Sequence, residues 1–87
     1  MTLVVKRSAQ RDLEVLPPKL RLQVSDRIEA LAEDPRPRGC RKIGAEIFRI
    51  RHRDWRIIYL VDDGNKRVEI LAVRHRREAY RDKKGRP

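Results

Sequence analysis

The sequence predicts an α+β domain: an N-terminal helical hairpin packed on one face of a small, mainly antiparallel four-stranded sheet. Three observations predict it. Residues 8 to 31 space their apolar side chains at helical intervals, and three segments between 46 and 75 are strand-like, with turn residues between them. A further strand-like segment, TLVVK, precedes the helices.

In chain order, TLVVK (2–6) is the first strand. Ser8 is placed to cap a short helix carrying Ala9, Leu13 and Leu16, and LPP (16–18) ends it, because proline lacks an N–H and restricts its predecessor. A second helix starts near Pro18, a tolerated first-turn residue. It places Leu20, Val24, Ile28 and Leu31 on one stripe and stops at EDPRPRG. Two antiparallel helices joined at Pro17-Pro18 leave that stripe to be covered by a sheet.

The sheet follows as EIFRIRH (46–52), WRIIYLV (55–61) and RVEILAVRH (67–75), connected by RD and by DDGN, both suited to hairpin turns. Period two sorts the faces. Phe48 and Ile50 share one side with Trp55, Ile57 and Tyr59; Arg49 and Arg51 share the other with Arg56. An antiparallel sheet tolerates one wet face, so these arginines can line a working surface.

Residues 1–82 form one domain, with 83–87 a basic tail whose composition suits disorder. The longest apolar run, IIYLV, is far short of a membrane span, and MTLVVKRS lacks the long apolar region of a signal peptide. The single cysteine, Cys40, excludes an intrachain disulfide framework, and two histidines with one thiol make no zinc spacing. A soluble cytoplasmic protein without metal or cofactor is expected.

The net charge of +10 is unevenly distributed. Residues 1–35 hold six Lys/Arg against six Asp/Glu; residues 36–87 hold 17 against 7, which is the whole excess. A positive field confined to one part of a small domain is the footprint of a phosphate-binding surface. Arg41 and Lys42 are expected to add phosphate steering.

The side chains sort by chemistry. Guanidinium groups contact phosphate oxygens bidentately and stabilise developing charge, but they stay protonated, so a general base must come from Tyr80 or His75, or more remotely His52. His75 is expected on the opposite face from Arg76, in a packing role. Phe48, Trp55 and Tyr59 read as core, and Cys40 as an incidental thiol.

The helical hairpin, then RKIGAEIFRIRHRDWRIIYLVDD, a strand and VRHRREAYR, resembles the RelE family of bacterial and archaeal toxins within the larger RelE/ParE group, over nearly the whole chain to Tyr80. The resemblance implies an endoribonuclease that enters the ribosomal A site, cuts messenger RNA and is held in check by a RelB-like antitoxin with an acidic and apolar wrapping segment. It implies catalytic roles for Arg56, Arg76 and Tyr80 and phosphate contacts for Arg49 and Arg51. The well-described ribosome-dependent members tend to carry lysines where this chain has Arg49 and Arg51. Their tyrosine also lies slightly further from the arginine. Two alternatives stay open: a ParE-type gyrase poison, and a basic module that binds RNA or ribosomes without chemistry.

Overall fold

A computed structural model describes residues 1–76. The elements are β1 (Thr2–Val5), α1 (Arg7–Glu14), α2 (Pro18–Ala30), β2 (Arg41–Lys42), β3 (Ile47–His52), β4 (Trp55–Asp62) and β5 (Arg67–His75). They form one sheet of order β1-β5-β4-β3-β2, in which β1 runs parallel to β5 and the other pairs are antiparallel. The sheet has five strands rather than the expected four. The extra one, β2, is a two-residue edge strand, too short for alternation to reveal.

The two helices cover one face. Ala9, Leu16, Val24, Ile28 and Leu31 meet Phe48, Ile50, Ile57, Tyr59, Val61, Val68, Ile70 and Val73 in a single core. In β3 and β4 the expected alternation holds: Phe48, Ile50, Ile57, Tyr59 and Val61 are buried, and His52 and Trp55, in the same phase at the hairpin end, are partly buried. The hairpin between them turns through Arg53, whose φ of +56° is left-handed, and His52 pairs with Trp55 across it. Among the described residues, no helix is long and apolar enough to cross a membrane.

Two departures from simple patterning matter. The first concerns Ser8, which does not cap α1: the helix begins two residues earlier, at Arg7 after Lys6, with no side-chain cap. Ser8 Oγ instead donates to the Leu71 carbonyl at 2.7 Å, and Asp12 Oδ2 accepts from Val73 N at 2.9 Å. The register of β1 with β5 ends at Val5 and Ile70, so α1 supplies polar side chains to the β5 edge beyond it.

The second departure is a bulge. Ile58 pairs with Ala72 and Tyr59 with Ile70, which leaves Leu71 as an extra residue in β5. Strict alternation from Val68 and Ile70 would turn Ala72 and Arg74 toward the helices. The extra residue reverses the phase, so Val73 is buried and Arg74 stands opposite Arg56.

Behind the sheet, the loop from α2 to β2 is tied to the core by Tyr59, whose buried phenol donates to the Pro35 carbonyl at 2.7 Å. Its ring stacks on Phe48 at 5.9 Å between centroids. Tyr59→Phe keeps the stacking and orphans that carbonyl. The variant is expected to lose about 1–2 kcal/mol, read as a lower denaturant midpoint at unchanged slope.

Candidate functional site

The face turned away from the helices carries arginines in two cross-strand rows. Arg41 of β2 pairs with Arg49 of β3. Arg51 of β3, Arg56 of β4 and Arg74 of β5 align across three neighbouring strands. Adjacent strands lie about 4.8 Å apart, so each row sets like charges side by side, an arrangement that costs stability unless an anion comes between them.

The charge is not cancelled locally. Among the described residues, no carboxylate lies within ion-pair distance of Arg41, Arg49, Arg51, Arg56 or Arg76. Glu69 is engaged by Lys6 and Arg67, and Asp63 by Arg36. In the second row Arg74 is drawn toward Asp12, at 3.7 Å. Burial, reinforced by the charges of Arg56, Arg41 and Arg51, lowers the Arg49 guanidinium from its ordinary value. The Arg56 Nε is buried with no hydrogen-bond partner among the described residues. Gly39, Arg41, Arg49 and Arg51 enclose a shallow pocket of about 250 Å³.

Arg76 follows β5 directly. Its backbone N–H donates to the Asp54 carbonyl at 2.7 Å, which places it at the same end of the sheet as the Arg51–Arg56 pair. Tyr80 lies outside the described residues. Lys42 is not brought to the arginines: it pairs with Phe48, one step out of phase with Arg41.

The histidines are engaged elsewhere. His52 shares a 3.1 Å hydrogen bond with Gln23, and burial followed by repulsion from Arg27 and Arg53 lowers its pKa. The phase change at Leu71 puts His75 edge-on against Trp55, 5.1 Å between centroids. Burial pushes the Tyr59 phenol upward, which suits a core residue and not a base. Cys40, half-buried, packs against the core.

Sequence reasoning missed Arg74. Its signal was the run Ile70-Leu71-Ala72-Val73, four apolar residues that break the alternation and mark a bulge. The assembled face offers many guanidinium donors to successive phosphates and to the charge that develops on a phosphorus under attack.

The chain is similar to known proteins over most of its length. The sequence profile of a family described as the ParE toxin of type II toxin–antitoxin systems, parDE, matches residues 3–80. Toxin RelE of Mycobacterium tuberculosis (strain ATCC 25618 / H37Rv) is 32% identical over 83 residues, covering 92% of this chain and 86% of that relative. Toxin RelG of the same strain is 35% identical over 77 residues, covering 85% and 88%. The crystal structure of the toxin–antitoxin complex RelBE2 from Mycobacterium tuberculosis contains a chain that superposes with a TM-score of 0.76 at 31% identity, covering 85% of this chain and 95% of that one.

Proposed function

We propose, for a chain that belongs to the RelE/ParE superfamily of toxins of type II toxin–antitoxin systems and is of RelE type, a ribosome-dependent endoribonuclease that cuts messenger RNA in the A site. The observation that carries this reading is the pair of arginine rows, among the described residues unpaired with carboxylate except at Arg74, on one face of the sheet.

RNA brings its own nucleophile, the 2′-OH, to each phosphate. The protein has to hold that hydroxyl in line with phosphorus, take its proton, stabilise the phosphorane-like charge and protonate the departing 5′-oxygen. Arg49, Arg51 and Arg41 hold the backbone. Arg56, in the middle strand, and Arg76, at the end of β5, address the non-bridging oxygens of the scissile phosphate. Tyr80, four residues past Arg76 in sequence, is the base or directs the 2′-OH by a hydrogen bond, since clustered guanidinium groups favour its phenolate. The geometry of His75, edge-on to Trp55, favours Tyr80 over it. The step as written uses no metal ion.

The antitoxin partner follows from the same charge. The RelBE2 relative was crystallised with its antitoxin. Here we expect an acidic and apolar segment that folds onto the 36–87 part and shields the arginines. The ribosome places the chain in the cytoplasm.

Arg49→Ala and Arg51→Ala are expected to weaken association with ribosomes or RNA and to flatten its salt dependence by about one unit of slope each, since each removes one phosphate contact. Titration at several salt concentrations checks this.

The ParE-type reading keeps one support, the family profile matched by residues 3–80. Adding the purified chain to translating ribosomes, and in parallel to DNA gyrase and plasmid, separates the two. Cut message with unaffected gyrase supports the nuclease. Intact message with trapped gyrase–DNA complexes selects the rival, and binding without either effect selects a module without chemistry.

A further inference from the structure

The phosphate pocket depends on Arg41 and Gly39, and the ladder alone holds them weakly. β2 has only two register pairs, Arg41 with Arg49 and Lys42 with Phe48. Before it the chain crosses from α2 through Asp34-Pro35-Arg36-Pro37-Arg38-Gly39, and Gly39 turns it into the strand with a φ of +93°, which few side chains adopt. The hairpin that follows adds one tie, Ile43 N donating to the Ile47 carbonyl at 2.8 Å, and the 35–40 loop sets how the chain enters this edge strand from the other side.

The loop is fastened on the helix side of the sheet, around the edge from the pocket. Arg36 donates through both terminal nitrogens to Asp63, in the turn between β4 and β5, at 3.3 and 2.7 Å. Its guanidinium lies 5.2 Å from the Phe48 ring centre, and Phe48 in turn stacks on Tyr59. Tyr59 holds the neighbouring Pro35 carbonyl, and Cys40 N donates to the Pro37 carbonyl at 3.0 Å. The Arg36 and Asp63 side chains are 44% and 63% exposed, and an ion pair that open contributes little to global stability. What this bidentate, ring-backed contact does is join two loops distant in sequence.

We propose that the Arg36–Asp63 clasp is a positioning element for nucleic-acid binding: it holds the 35–40 loop so that Gly39 and Arg41 stand beside Arg49 and Arg51. The inference rests on the phosphate-binding reading of the open face. Neither residue of the clasp touches the nucleic acid; both act through Arg41.

The test is binding of the full chain to a 2′-O-methyl RNA oligonucleotide, which cannot be cleaved, measured by fluorescence anisotropy with the denaturant midpoint of each variant. Asp63 offers opposed expectations. If it contributed only to the overall field, Asp63→Ala would remove a negative charge from a protein of net +10 and tighten binding to a polyanion. The clasp requires the opposite, a loss of about three- to ten-fold at unchanged midpoint. Arg36→Lys keeps the charge but not the two-pronged contact, and is expected to weaken binding to a similar degree. Equal or tighter binding by Asp63→Ala, or unchanged binding by Arg36→Lys, would overturn the clasp, as would a loss that tracks a fall in midpoint. Arg49→Ala in the same assay reports on the underlying reading. If it weakens binding while Asp63→Ala does not, only the clasp fails; if it binds like the parent, both fall.

Discussion

Arg56→Ala and Arg76→Ala are each expected to lower single-turnover cleavage of ribosome-bound message by about 10²–10³, with affinity for the ribosome nearly unchanged. Arg56 is the middle member of the Arg51–Arg56–Arg74 row. Its buried Nε has no partner among the described residues. Such a group gains most when negative charge builds on the non-bridging oxygens, so its removal is felt in the transition state more than in the bound substrate. Arg56 also adds to the repulsion felt at Arg49, so its loss is not expected to lower the unfolding midpoint. Arg76 is held beside that row, two residues beyond Arg74, by its backbone bond to Asp54. A fall in affinity that matches the fall in rate, for both variants, would assign them to binding instead.

The second large effect is at the substrate. Replacing the 2′-OH of the nucleotide just 5′ of the cut by hydrogen or a methyl ether is expected to stop cleavage and leave binding intact. In the proposed step the hydroxyl is the attacking group, and no residue among Arg41, Arg49, Arg51, Arg56 and Arg76 can replace it, because guanidinium stays protonated and is no nucleophile. Single-turnover reactions on matched messages read this directly. Cleavage that persists would mean a water nucleophile.

Much of this face was legible in the sequence, for a physical reason. In β3 and β4 the buried apolar side chains recur with period two, so Arg49, Arg51 and Arg56 declared their common face, which they share with Ile58 and Leu60. What alternation could not show lies where alternation fails. The single extra residue at Leu71 reverses β5, bringing Arg74 to the site and taking His75 away from it. Lys42 adjoins Arg41 in sequence, yet neighbouring strand residues face opposite sides. Ser8 has the chemistry of a helix cap, but the open edge of β5 offered its hydroxyl a carbonyl instead. The clasp joins residues 36 and 63, a long-range pairing that no local pattern encodes.

Proposed cleavage of ribosome-bound RNA by its own 2′-OH is checked at the ends the toxin would leave. Purified protein is added to ribosomes stalled with a defined codon in the A site, and the message fragments are mapped and their termini identified. A cut within that codon is expected, with a 2′,3′-cyclic phosphate or its 3′-phosphate hydrolysis product on one fragment and a free 5′-OH on the other. Uncut message, or fragments bearing a 5′-phosphate, would contradict it.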